Sequence, residues 1–290
     1  MGIPKQALTA FLAENTHRKI EGDWLSFGRQ TVGVSKEKLQ LLCENLSVDD
    51  LELDGDTRHG GGSHVSDRSL IESLFSVSYK TVDKSPYEKA DVVTDLSTPI
   101  EKKWHSSFDF VYSGGCLDNV FAPSELIKNS SRLLRPGGRV VHYESASRLL
   151  GAFSYLTAEW FLSYYAVNNF ADCQVYLLTQ TTPSRNRFDY DVDVFHYSHL
   201  FTRNAQVDYF AAAQALPGIH YLLVLAEKGI DSTCDLIPDQ LQYLDERSVD
   251  WRELAQLYRA SPRPLIKGST SKTIDLPFFS DHYSYCGSDL

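Results

Sequence analysis

Phe108-Asp109-Phe110-Val111-Tyr112-Ser113-Gly114-Gly115-Cys116-Leu117-Asp118-Asn119-Val120 is the stretch on which the reading of this chain turns. A short run of aromatic and β-branched residues that stops at glycine reads as a buried strand followed by a loop. Pro123 to Leu134 follows as an amphipathic helix with Leu126, Ile127, Ser130 and Leu133 on its inner face. Arg135-Pro136-Gly137-Gly138 then turns that helix into a second strand, Arg139-Val140-Val141-His142-Tyr143.

The same alternation continues outward. Upstream, Asp23 to Gly28 is a short apolar run ending in glycine, and Ser35 caps a helix that places Leu39, Leu42 and Leu46 on one face. Ser66-Asp67 caps another helix through Leu70, Leu74 and Phe75; Tyr79 to Asp83 and Ala90 to Asp95 are two short strands, each ending in an acid. Downstream, Leu156 to Asn168 reads as a helix, and Cys173 to Leu178 and Ile219 to Ala226 as strands. Strands and helices at this spacing predict an α/β domain whose mostly parallel, seven-stranded sheet carries helices on both faces. The last strand is expected antiparallel, because no crossover helix of the right length precedes it. The expected organisation is an N-terminal helical extension over 1–22, the α/β domain over 23–228, and a C-terminal tail over 229–290 with one helix near Trp251 to Tyr258.

Bulk properties narrow the function. A hydrophobic share of 42% beside 23% charged residues fills a globular core and argues against a disordered chain. A net charge of −10 repels phosphate backbones, so no nucleic-acid partner is expected. The sequence shows neither an apolar stretch long enough to cross a membrane nor the apolar core of a signal peptide, which predicts a cytoplasmic protein with no membrane partner. Five cysteines without a Cys-x-x-Cys pair read as reduced thiols, and no metal site is expected.

The order of elements and the motifs over about residues 23 to 228 resemble the class I S-adenosylmethionine-dependent methyltransferases, whose fold is Rossmann-like. The resemblance is strongest over Phe108 to Val120, which corresponds to the family's fourth strand and the loop beside the cofactor, with Asn119 where His is usual. Leu133-Leu134-Arg135-Pro136-Gly137-Gly138-Arg139-Val140 corresponds to the turn into its fifth strand. The resemblance implies S-adenosylmethionine as cofactor and a small-molecule substrate. It places Gly28 at the first glycine of the cofactor loop, but Ser26 stands for the family's acid, Gln30 for its second glycine and Val32 for its third. Those glycines allow backbone amides to approach the cofactor without a Cβ, and the acid holds its ammonium group. The resemblance further assigns Asp83 to the ribose hydroxyls and Asp95 to the neighbourhood of the adenine. Gly28, Asp83, Asp95, Ser113 and Gly114 are expected to line one crevice at the carboxyl ends of the strands, with Gln30 taking over a cofactor contact if the chain is an enzyme.

His142 and Glu144 leave the fifth strand on one face, at the edge where open α/β sheets bind ligands. They read either as a general-base pair acting on a methyl acceptor or as a rim hydrogen-bond network. Tyr112, Asp118 and Asn119 are acceptor contacts or loop-stabilising groups. Gly60-Gly61-Gly62, flanked by Arg58, His59 and His64, reads as a flexible loop before an anion cradle. Asp189, Asp191 and Asp193 alternate on one strand face about 6.6 Å apart, too wide for one calcium ion with ligands at about 2.4 Å. His196 and His199 lack the context of a zinc motif. Trp160 to Phe170 is an aromatic stripe that packs the core, with Asn168 and Asn169 able to orient an acceptor.

Two functions remain open on the sequence: methyl transfer to a small-molecule oxygen or nitrogen, or a methyltransferase-like protein that no longer transfers methyl groups and binds a partner or another nucleotide-like ligand. Ser26, Gln30 and Val32 are the residues that favour the second.

Overall fold

The computed structural model describes residues 2–46, 53–56, 58, 64–147, 151–180, 190–197, 218–239, 253, 255, 257–258 and 283–288. In chain order the elements are β1 (Gly2–Ile3), α1 (Lys5–His17), β2 (Glu21–Phe27), β3 (Thr31–Val32), α2 (Lys36–Leu46) and α3 (Asp67–Leu74). They continue with β4 (Ser76–Asp83), β5 (Val92–Val93), β6 (Phe108–Gly114), α4 (Pro123–Leu133), β7 (Leu134–Ser145) and α5 (Ala158–Val167). The last strands are β8 (Asp172–Gln180), β9 (Asp193–Tyr197), β10 (Ile219–Glu227) and β11 (Tyr283–Ser288).

The expectation of seven strands is corrected to nine in one sheet among the described residues, ordered β11-β9-β8-β10-β7-β6-β2-β4-β5. The five strands from β5 to β7 pair in parallel. Beyond β7 the ladders are all antiparallel. Ile219–Glu227 runs antiparallel to both neighbours, as its missing crossover helix predicts. The extra strands are β9 and β11, the second of which lies in the segment read from sequence as a tail. Helical backbone at Glu253, Ala255, Leu257 and Tyr258 matches the helix expected there. A further pair, β1 with β3, lies outside the main sheet.

Both faces of the sheet are covered at β6 and β7, which is why these two strands read as nearly continuous apolar runs. On one face α1, α2 and α3 pack Phe11, Leu39, Leu70 and Ile71 against Trp24, Tyr79, Phe110 and Tyr112. Trp24 stacks on Phe110 at 4.2 Å between centroids and meets the edge of Phe11 at 5.1 Å. On the other face α4 and α5 bury Leu126, Ile127, Phe161 and Tyr165 against Phe27, Val111 and Val140. The inward residues expected of α4 are all buried. Ser66 caps α3 by accepting from Ser69 N, and Ser35 caps α2 by accepting from Lys38 N.

Pro136-Gly137-Gly138 is not the helix-to-strand turn expected of it. β7 already begins at Leu134, which pairs with Phe108, and the register jumps so that Arg139 faces Phe110. The proline and glycines are the extra residues of a bulge inside the strand. No helix among the described residues is long and apolar enough to cross a membrane.

Candidate functional site at the carboxyl edge of the parallel strands

The strand order reverses between β2 and β6, and the crevice at the carboxyl ends of such a pair is where doubly wound sheets take their ligands. Register fixes what meets there. Phe27 lies between Val82 and Ser113, so Gly28, Asp83 and Ser113-Gly114 leave the sheet side by side. Gly28 has φ of +70°, the left-handed turn that glycine allows, and its N–H donates to Val82 O at 2.6 Å. Asp83 is half-buried and accepts from Ser85 N at 3.1 Å, which leaves lone pairs for other donors. Asp95 stands beyond β5, reached from the Asp83 end of β4 through Lys84 Nζ at 2.7 Å from its Oδ2. Hydrogen bonds from Lys84 and Ser97 hold the Asp95 carboxyl down at about 2.

The turn after β2 is built from side chains where glycine would have left it bare. Gln30 is fully buried, and its Nε2 donates to Phe27 O at 2.7 Å and to Gly28 O at 3.2 Å. Its Oε1 lies 2.8 Å from the place a Cβ on Gly114 would occupy. The side chain therefore turns beneath the loop. Arg29 forks onto Asp67, with Nη2 to Oδ1 at 2.6 Å, and Asp67 Oδ2 also accepts from Gln30 N at 2.8 Å and Tyr79 Oη at 3.1 Å. Ser26, in the place of the family's acid, turns into the core and accepts from Trp24 Nε1 at 3.0 Å. Thr31 and Val32 are then pinned by pairing with Gly2 and Ile3.

The turn after β6 is organised the other way. Glu144, fully buried, accepts from Ser113 Oγ at 2.8 Å, Cys116 N at 3.4 Å and Asp118 N at 3.5 Å. Burial first, then the charge of Asp118, raises its carboxyl to about 8 against the pull of those donors. His142 lies on the same face of β7, also fully buried, with Nε2 2.5 Å from Tyr165 Oη. Burial lowers its pKa to about 3, so it is neutral at ordinary pH. The rim position expected for this pair is thus replaced by a position under the loop for Glu144 and inside the α5 packing for His142.

Other expected groups are placed as follows. Tyr112 Oη donates to Gly2 O at 2.8 Å inside the core, and Asn119 Nδ2 donates to Gly115 O at 2.5 Å. Asn168 is buried and donates to Tyr164 O and Leu236 O, so it anchors the segment after β10. His196 Nε2 meets Gln174 Oε1 at 3.0 Å. His199, Asp189 and Gly60-Gly61-Gly62 lie outside the described residues. Among the described residues no three His, Cys, Asp or Glu side chains are grouped so that they could hold a metal ion.

Sequence reading missed Arg29, Phe121 and Phe153, and it gave Asp67 and Arg58 other roles, a helix cap and the flank of a glycine loop. Both phenylalanines are largely exposed, and they meet edge to face at 5.9 Å above the turns that follow β6 and β7. Those turns are joined by Phe153 N donating to Asp118 O at 2.7 Å. Only the aromatic character of both positions is visible in sequence.

Residues 76–142, from the start of β4 into β7, match the family model of a methyltransferase domain. No curated protein matches the sequence. Among solved structures the chain is similar to the CMeT domain of the citrinin polyketide synthase, at 14% identity over 77% of this chain and 52% of that one, with a TM-score of 0.40. It is also similar to Haemonchus contortus phosphoethanolamine N-methyltransferase 2, at 16% identity, 76% and 52% coverage and a TM-score of 0.42. A third is an S-adenosylmethionine-dependent methyltransferase from Archaeoglobus fulgidus, at 10% identity, 76% and 94% coverage and a TM-score of 0.39. The chain spans about half the length of the first two.

Proposed function

We propose that this chain, whose residues 76–142 carry the methyltransferase-domain match, is a class I S-adenosylmethionine-dependent methyltransferase acting on an oxygen or nitrogen of a small molecule. One observation carries the reading. The matched stretch contains both Asp83 and Ser113-Gly114, and the strand register sets them on either side of Gly28 at the switch point.

The residues fit the nucleoside end of the cofactor. Asp83 keeps lone pairs for a ribose diol, and Gly115, with φ of +67° and open space where a Cβ would point, leaves room at the loop beside it. Gly28, Asp83, Asp95 and Gly114 are the proposed cofactor residues, with Gln30 and Ser113, whose side chains have no exposed surface, shaping the turns beneath them. Bound S-adenosylmethionine supplies an electrophilic methyl group. Around it this chain's groups position and exclude water: Glu144 draws the turn after β6 onto the sheet through three donors, and His142 fixes α5 through Tyr165. Neither has exposed surface, so we assign both a supporting role beneath the reacting groups.

The filled turn favours a second reading, in which the fold persists without methyl transfer and binds a partner or another nucleotide-like ligand. Gln30, Arg29 and Asp67 occupy with side chains what the family leaves to glycine, and Ser26 offers no carboxylate to an ammonium. Calorimetric titration with S-adenosylmethionine and S-adenosylhomocysteine separates the two. A micromolar dissociation constant, about −8 kcal/mol, supports the enzyme. Undetectable binding at millimolar cofactor, with the protein shown to be folded, removes it.

A further inference from the structure

Arg58 comes from the segment between α2 and α3, and yet it ends inside the turn after β2. Its guanidinium is almost fully buried, with a side-chain exposure of 3%. Nη2 donates to Gln30 O at 3.1 Å, Thr31 Oγ1 at 3.1 Å and Asp56 Oδ2 at 2.6 Å, while Nε donates to Asp56 Oδ2 at 2.8 Å. On the far side Nη1 lies 3.4 Å from Glu88 Oε2, in the connection between β4 and β5. One planar group thus touches the two segments that frame Gly28 and Asp83, and a third that carries it.

The geometry is economical for a turn that has lost glycines. Gln30 O points where no strand partner follows, and a buried carbonyl without a donor costs about 1–3 kcal/mol. A fork that also spans to Thr31 fixes the orientation of the peptide as well as satisfying it. Asp56 holds the fork: burial opposes the charge on Arg58, and hydrogen bonding to Asp56 more than restores it.

We propose that Arg58 is a positioning residue for the cofactor edge: it sets the Gln30–Thr31 backbone and, through Glu88, ties it to the segment after Asp83, so that the two walls of the crevice move as one. The consequence for cofactor affinity rests on the proposed function; the coupling of the two walls does not.

The test uses the full chain as wild type, R58A, R58K and E88Q. R58K is the decisive variant, since it keeps a cation beside Asp56 and loses the fork, whereas R58A leaves a carboxylate uncompensated. Hydrogen exchange without ligand should be about tenfold faster at the amides of Gln30 to Gly33 in R58K, the fold-change of one lost hydrogen bond. E88Q should speed the same amides about twofold, although the substitution lies in another loop. Wild-type rates at Gln30 to Gly33 in R58K, or an E88Q effect confined to its own loop, overturn the coupling. S-adenosylhomocysteine titration should show R58K at least tenfold weaker with a thermal midpoint near wild type. Unchanged affinity alongside faster exchange overturns positioning and leaves a brace. If wild type binds no S-adenosylhomocysteine, the proposed function fails, and the exchange rates alone decide the clamp.

Discussion

The turn after β2 and the turn after β6 leave the same edge of the sheet a few ångströms apart in register, and opposite chemistry holds them. In the first, donors from Gln30, Arg29 and Arg58 converge on backbone carbonyls and on Asp67, and the guanidinium charges are fixed across the whole biological pH range. In the second, backbone amides and Ser113 converge on one buried carboxyl whose charge is not fixed. Around neutral pH the first turn should therefore respond to substitution and hardly to pH, and the second to both.

The largest effect expected is at Asp67. It serves Arg29, Gln30 N and Tyr79 at once, so Asp67→Ala strands a largely buried guanidinium, a backbone amide and a buried hydroxyl together and should cost about 3 kcal/mol in denaturant unfolding. A loss under 1 kcal/mol would show that the first turn is not held by charge. Next is Gly114→Ala, whose Cβ would meet Tyr112 Oη at 2.6 Å and Gln30 Oε1 at 2.8 Å. A cost of about 1–3 kcal/mol is expected. In a Gln30→Gly background part of that clash disappears, so a double-mutant cycle should give a coupling of about 0.5 kcal/mol or more. Additive effects would separate the two turns.

The pH arm is of similar size, and above about pH 6.5 it centres on the second turn. Glu144 has a folded pKa of about 8, above its unfolded value, so the folded state holds a proton the unfolded state gives up. Its stabilising effect is complete below the unfolded pKa and is lost as pH rises toward 8. His142 and His196 are lowered to about 3 and 4, so each makes stability rise with pH up to about 6.5. These slopes oppose Glu144 below pH 6.5. Between about 6.5 and 8 the raised Glu144 carboxyl works against stability without those opposing slopes, and its contribution should fall by at most about 1.4 kcal/mol per pH unit. Glu144→Gln should abolish that fall in unfolding series at pH 6.5, 7.25 and 8; a variant that keeps the wild-type slope would mean the carboxyl is ionised in the fold. The smallest effect is Phe121→Ser with Phe153→Ser, within about 0.5 kcal/mol each in stability because both rings face solvent.

The same contrast explains what sequence could supply. β2, β4 and β6 were legible because each carries a buried apolar run toward its carboxyl end and stops at or just before a glycine or an acid, and those end residues are what the edge of the sheet displays. That is why Gly28, Asp83, Ser113 and Gly114 could be named together. β1 and β3 were not legible, since two residues carry no period, and β11 was not, since its partner β9 lies far back in the chain. The bulge at Pro136-Gly137-Gly138 read as a turn because local chemistry is the same for both, and only the register against β6 tells them apart. The contacts of Arg58 to Gln30 and Glu88 and of Asp67 to Arg29 escaped for a related reason: a contact formed between distant segments leaves no spacing to find.

β10 lies in the middle of the sheet between β7 and β8, though the chain makes it after both. Until Ile219–Glu227 has been synthesised, β7 and β8 each present an apolar edge with open hydrogen-bonding groups. A nascent chain on the ribosome therefore carries two sticky margins through the translation of the residues before Ile219. Truncation ahead of that strand should give aggregates instead of a smaller folded unit, and slowing translation there should raise dependence on chaperones during expression.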